Sequence, residues 1–201
     1  MDRAEKEVVG SDSQNISGDN NYKLVHVTGK TENKADLVDR DFDITVENSY
    51  RLTRTVEVYQ WQEIKEQEEE RVTYKYVQGW YSHPIDSSKF DDQSKRNPGN
   101  WPFQSSTSEA QNVTLGDYKL NASQISRLGR SRTNKIEPTD DQVDQTRDQM
   151  ESTGFSSFEV RGHYLVASAE DNSIVGEHIG QMRVSFSHDQ CGVTTIIAQQ
   201  M

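Results

Sequence analysis

The sequence predicts a β-rich α+β domain of antiparallel hairpins with one short surface helix near residues 139–151. Its apolar residues are lean in Leu (7) and rich in Val (17), and together with 8 Tyr and 3 Trp they fall in short alternating runs, the material of strands. Two such runs, 54–64 and 71–81, flank the acidic segment 65–70 in the pattern of a long hairpin. Thr139-Asp140-Asp141-Gln142 after Pro138 reads as a capping box, in which the Thr hydroxyl accepts one free helical amide and the Gln side chain reaches back to another. Val, Ile, Leu and Phe supply 40 of 201 residues, just under the level of about one-fifth that accompanies disorder in highly charged chains. Distribution rather than amount therefore carries the prediction.

Taken in order, residues 1–21 are polar and end in the turn signal Gly18-Asp19-Asn20-Asn21, so they read as a flexible linker, with order beginning near Tyr22. Residues 22–28 form a strand closed at Gly29, and 43–52 a second. In the hairpin that follows, Glu66, Glu68, Glu69 and Glu70 repel one another, which suits a solvated tip better than a cation site. Residues 83–103 hold three of the four prolines, Pro84, Pro98 and Pro102, and read as a long ordered loop. Residues 113–120 form a strand, and 121–128 look helical, with Ile125 and Leu128 three apart. The helix at 139–151 stops before Gly154 and offers only Val143 and Met150 to a core. Residues 158–168 read as one strand bent at Gly162. Met182, Val184 and Phe186 alternate with Arg183, Ser185 and Ser187, and a turn at 188–192 leads into 193–199 to complete a second hairpin. Residues 22–201 thus form one domain, whose two hairpin-containing halves, joined near 104–157, would fit a distant duplication.

Charge narrows the functions. With 22 Lys plus Arg against 33 Asp plus Glu the chain carries -11, which repels phosphate backbones. The densest basic stretch, 127–135, has no aromatic residue for base stacking, so nucleic acid is not an expected partner. No window approaches the roughly 18 apolar residues of a membrane-spanning helix, and residues 1–20 lack a signal peptide's apolar core. The single cysteine, Cys191, allows no internal disulfide and no cysteine zinc cluster.

No catalytic constellation emerges. Thr28-Gly29-Lys30-Thr31 resembles the end of a phosphate-binding loop, but Leu24 stands where that loop needs a glycine. His26, His83, His163, His178 and His188 lack metal-ligand spacing, and His26 and His163 read as structural. Asp140, Asp144 and Asp148 share one helical face, where water solvates them. Neither a cofactor nor a metal is expected. The sequons at Asn15, Asn112 and Asn121 permit N-glycosylation, although about two would arise by chance in a chain of this composition. Trp61, Trp80 and Trp101 read as core in preference to a binding groove.

Five stretches together resemble the transmembrane protein 43 family, also called LUMA. They are Lys23-Leu24-Val25-His26-Val27 before Gly29; Val58-Tyr59-Gln60-Trp61 followed by Glu63; Ser88-Lys89-Phe90-Asp91 before Arg96-Asn97-Pro98; Leu115-Gly116-Asp117-Tyr118 before Leu120; and Gly180 followed by Arg183-Val184-Ser185-Phe186-Ser187. Their order and spacing cover nearly everything from Tyr22 onward. Departures are Gln181 and Met182, where the family pattern leads one to expect an acidic residue after Gly180, and a more acidic hairpin tip.

The resemblance implies the large domain between the first and second spans of a multi-pass membrane protein, facing the lumen of the endoplasmic reticulum and nuclear envelope. In a bacterial source that face would be periplasmic or extracellular. It implies a non-enzymatic scaffold that takes part in inner nuclear membrane organisation, with emerin-like membrane proteins and lamins as associates and with self-association. Lamins lie across the membrane from a luminal domain and would be reached only indirectly. Residues 1–21 would lead from a preceding span. The family brings no catalytic residues. The loop at 83–103, where the likeness is among the closest, is the candidate interaction surface, through Lys89, Phe90, Arg96, Asn97 and Trp101, although its aromatics could equally pin it to the core. A secreted β-module binding carbohydrate or peptide is the alternative, and an uncharacterised hydrolase a more distant one.

Overall fold

The computed structural model describes residues 8–69, 71–129, 133–169 and 176–201. The first seven residues of the expected linker, Glu70 of the expected tip and part of the basic stretch lie outside them. Order begins earlier than Tyr22. The strand β1 (Val9–Ser11) pairs in parallel with β2 (Leu24–Asn33), Val9 opposite Val25 and Ser11 opposite Val27. Two glycines make room for the segment that follows β1. A Cβ on Gly29 would stand 2.7 Å from Ser13 Cβ, and one on Gly116, whose φ is +56°, 2.0 Å from the Ser13 carbonyl oxygen. That oxygen accepts from Asp117 N at 2.8 Å, and Ser11 Oγ meets the Tyr118 hydroxyl at 2.8 Å. Hydrogen bonds rather than apolar burial hold this segment, so its composition gives no sign of order. Gly29 does not close β2, which runs on to Asn33.

β3 (Leu37–Asp39) and β4 (Ile44–Val46) form a small hairpin. The strand expected over 43–52 is broken at Asn48, whose φ of +43° separates β4 from the 20-residue β5 (Ser49–Glu68). β6 (Arg71–Tyr81) pairs with β5 from Val58 opposite Tyr81 to Glu68 opposite Arg71, which gives the long hairpin. The acidic segment is mostly ladder rather than tip, because basic partners lie across from it: Arg71 faces Glu68, and Lys75 Nζ reaches Glu66 at 2.8 Å. β7 (Ser106–Glu109) pairs with the start of β5. The strand expected at 113–120 is a hairpin, β8 (Val113–Leu115) and β9 (Tyr118–Lys119), turning at Gly116. Asn121 caps α1 (Ala122–Ile125), and β10 (Thr133–Ile136) follows. Thr139 and Gln142 form the expected capping box of α2 (Asp140–Glu151), which buries Met150 and Thr146 and leaves Val143 half-buried.

Residues 157–168 are a hairpin, β11 (Ser157–Arg161) and β12 (Tyr164–Ser168), because Gly162 at φ +60° turns the chain back. Along β13 (Met182–Gln190), Met182, Val184 and Phe186 are buried while Arg183, Ser185 and Ser187 are half-exposed, as the alternation predicts. β14 (Val193–Gln199) does not pair with β13. It crosses to β2 of the other sheet, because β13 has β5 along one edge and β12 and β10 along the other.

The chain therefore makes two main sheets. In the first, β2 carries β14 on one edge and, on the other, β1 and then β8. The second runs β11-β12-β13-β5-β6, with β10 beside β13 and β7 beside β5. One core joins them, in which Val25 and Leu115 belong to the same apolar cluster as Val56, Val184 and Phe186, with Phe42, Ile44 and Phe103 among them. β13 ends opposite Val58, beyond which β5 and β6 continue as a two-stranded ribbon. No helix among the described residues is long and apolar enough to cross a membrane.

Candidate functional site

The ribbon gives the loop at 83–103 its foundation. Alternation along β5 and β6 puts the cross-strand pairs Tyr59 with Trp80, Trp61 with Gln78 and Glu63 with Tyr76 on one face. Asn97 binds to the backbone beneath: its Oδ1 accepts from Trp61 N at 2.8 Å, and its Nδ2 donates to Trp61 O at 2.9 Å and Ile85 O at 3.2 Å. Gln60, fully buried, accepts from Ile85 N and donates to His83 O, both at 3.0 Å. A carboxylate oxygen of Glu63 accepts from Asp91 N at 2.6 Å and from the Tyr76 hydroxyl at 2.7 Å, while Asp92 N donates to that hydroxyl at 2.8 Å. Burial, and then the bond to Glu63, push the Tyr76 hydroxyl above its ordinary range. The loop is thus tied down by its own amides.

Its aromatics point inward. Phe90 is buried with its ring 6.0 Å from that of Tyr76, Trp101 is buried, and Phe103 packs 4.9 Å from Phe42. Of the five candidate residues, Phe90, Asn97 and Trp101 anchor the loop, and only Lys89 and Arg96 stand exposed. Lys89 sits at the end of a short 3-10 turn, Ser87–Lys89, which Asp86 caps by accepting from Ser88 N at 3.1 Å and Ser88 Oγ at 2.6 Å. These bonds, with Lys89 Nζ at 3.1 Å, hold the Asp86 carboxyl below its usual range. Arg96 borders an open recess of about 370 Å³ that it shares with Ile85, Ser88, Asn97 and Pro98. The arrangement presents exposed cations on a rigid base. Sequence reasoning missed Gln60 and Glu63 as anchors, although both stand in a stretch that carried the family resemblance.

The remaining candidates do not converge. Trp101 alone of the three tryptophans enters the core; Trp61 and Trp80 lie half-exposed on the ribbon and sheet, capped by Lys95 at 4.6 Å and Arg183 at 4.5 Å. The Arg183 guanidinium also lies 4.3 Å from the Tyr164 ring and bonds Glu57 at 2.7 Å, so the cation joins three strands of the second sheet. His163 stands in the β11–β12 turn rather than on a strand, and His26 is exposed. Burial, then Lys135 and Arg183, lower the His163 pKa. Asp140, Asp144 and Asp148 are exposed along α2, and no group of three His, Cys, Asp or Glu among the described residues could hold a metal ion. Asn15, Asn112 and Asn121 are all exposed, and the Asn121 side-chain oxygen Oδ1 caps α1 by accepting from Gln124 N at 2.9 Å.

The Transmembrane protein 43 family profile matches residues 58–201. Transmembrane protein 43 of Pongo abelii is 28% identical to the chain, and those of Mus musculus and Homo sapiens are each 27% identical; in each case 96% of this chain is covered. The chain spans about half, 49%, of the length of each of these relatives. No solved structure matches it. With the profile running across the ribbon, the pinned loop and the last strands of both sheets, the chain belongs to the transmembrane protein 43 family.

Proposed function

We propose that this chain is the luminal association domain of a multi-pass membrane protein of the endoplasmic reticulum and inner nuclear membrane, acting by holding partners and without chemistry of its own. Coverage is the observation that carries the reading: a fold of paired strands aligns with about half of proteins named for crossing a membrane, as the water-facing part of such a protein would. Its partners are other membrane proteins of the nuclear envelope, emerin-like ones among them, together with further copies of itself. Lamins are reached only through partners or spans that cross the membrane. In this way the domain serves nuclear envelope organisation as a scaffold.

The surface offered to partners is the loop at 83–103. Lys89 and Arg96 project from backbone already fixed by Asn97, Gln60 and Glu63, so a partner meets preformed groups at little ordering cost. A luminal address also leaves the three exposed sequons open to glycosylation. Protease protection tests the location. In sealed endoplasmic reticulum vesicles from cells making the whole gene product, this domain should survive added protease until detergent opens the membrane. Digestion without detergent would overturn the reading.

A further inference from the structure

Beyond Val58 the ribbon has two outer edges, and only that of β5 is capped. Tyr59 N donates to Gln181 O at 2.9 Å and Tyr59 O accepts from Gly180 N at 2.9 Å, while the Asn97 side chain takes both backbone groups of Trp61. Tyr59 and Trp61 therefore turn away from β6. Antiparallel strands alternate, so Gln62, Ile64 and Glu66 turn toward it, and their register partners Val77, Lys75 and Thr73 turn back toward β5. The backbone N–H and C=O of Val72, Tyr74, Tyr76 and Gln78 then point outward, and among the described residues none of these groups has a hydrogen-bond partner. An open edge ordinarily carries a device against further pairing, such as a standing charge, a proline, a bulge or extreme shortness. β6 keeps all eleven residues in unbroken register with β5 and holds no proline. Its one charge past Arg71 is Lys75, whose Nζ is drawn back over β5 to Glu66 at 2.8 Å. Along this edge Val72 stands 41% exposed, with Tyr74 and Tyr76 half-exposed on the same face.

We propose that the open edge of β6 takes up an extended segment of a different protein as a further strand of the second sheet. A row of outward N–H and C=O groups recurring at every second residue is matched by another extended backbone. Side chains and charge give the composition of that segment. Val72, Tyr74 and Tyr76 share the face on which Asp92 N meets the Tyr76 hydroxyl, and β-branched or aromatic residues pair best beside them. The chain carries -11, and Glu66, Glu68 and Glu69 lie at the end of the ribbon, so basic residues at the intervening positions are drawn in and acidic ones repelled. The same charge disfavours a second copy of this chain at this edge. The ribbon gains as well, because two strands alone are marginal in water and a third gives them a covered flank. The inference goes beyond the loop reading and uses neither Lys89 nor Arg96.

Fluorescence anisotropy of the 201-residue chain with a labelled short peptide, Val at alternate positions and Lys and Thr between them, tests it, while amide exchange locates the contact. Binding should slow exchange at Val72, Tyr74, Tyr76 and Gln78 and leave Thr73, Lys75 and Val77, already turned to β5, unchanged. That alternation is the signature of an added strand. A peptide N-methylated at every second residue on its bonding side, and one with Glu in place of Lys, should each bind at least about tenfold more weakly. Gln78→Pro should weaken binding as much with melting close to wild type, since a proline on an edge removes only an outward N–H. Should Gln78→Pro unfold, the N-methylated peptide decides alone. Absence of binding at millimolar peptide, protection without alternation, or indifference to N-methylation would each overturn the proposal. The double variant Lys89→Ala, Arg96→Ala should bind the peptide as wild type does; loss of binding there would put the contact on the loop and overturn the proposal while leaving the loop reading intact.

Discussion

Cys191 lies in the turn that carries the chain from the second sheet to the first, 8% exposed, and burial pushes its thiol up to about 11. In the unfolded chain the same thiol ionises near 9.0. The folded state therefore holds its proton longer, and the stability it contributes is complete below about 9 and lost as pH rises toward about 11, by at most about 3 kcal/mol. Urea titrations from pH 8 to 10, below the tyrosine range, should show the onset of that loss in wild type and not in Cys191→Ala, and native Cys191 should react with thiol reagents far more slowly than the denatured chain. Equal reaction rates would contradict the burial. Arg54 makes the same point about environment. Only 6% exposed, it bonds Asp39 at 2.9 Å, Asp41 at 2.7 Å and Gln104 O at 3.0 Å, and lies over the Phe42 ring. Alternation put Val184 and Phe186 in the core because a strand's period fixes its faces. It could not place Trp61 and Trp80, whose half-exposed positions depend on Lys95 and Arg183 arriving from elsewhere in the chain.

At the scale of elements, the loop at 83–103 keeps its shape through one side chain more than any other. Asn97 uses both its amide and its carbonyl on Trp61 and Ile85, and its own N–H donates to Ser87 Oγ at 3.0 Å. Asn97→Ala should cost about 1–3 kcal/mol, from three lost bonds each worth about 1 kcal/mol net or less, and should speed amide exchange at Trp61. Unchanged exchange there would mean the loop is held by its aromatics alone. The helix at 139–151 and the long hairpin were legible because their signals are local: a cap three residues from its partner, and two alternating runs with a short connection. Pairings set by glycine conformation or distant neighbours were not. Gly116 and Gly162 turned expected single strands into hairpins, and β14 left β13 because β5 took one edge of β13 while β12 and β10 took the other.

For the whole molecule, charge, length and strand content limited the fold class, whereas the family was legible in short stretches in order. Those stretches include Gln60, Glu63, Asn97 and Phe90, the residues that fasten the loop to the ribbon, so the likeness and the platform rest on the same side chains. Lys89 and Arg96 stand on that platform without supporting it. Capture of partners from membranes that contain the whole protein, with Lys89→Ala and Arg96→Ala together and melting of the isolated chain followed in parallel, decides whether this domain associates through the loop. The double variant should melt close to wild type and clearly lose captured membrane partners; wild-type capture by a normally folded double variant would mean that association does not run through the loop.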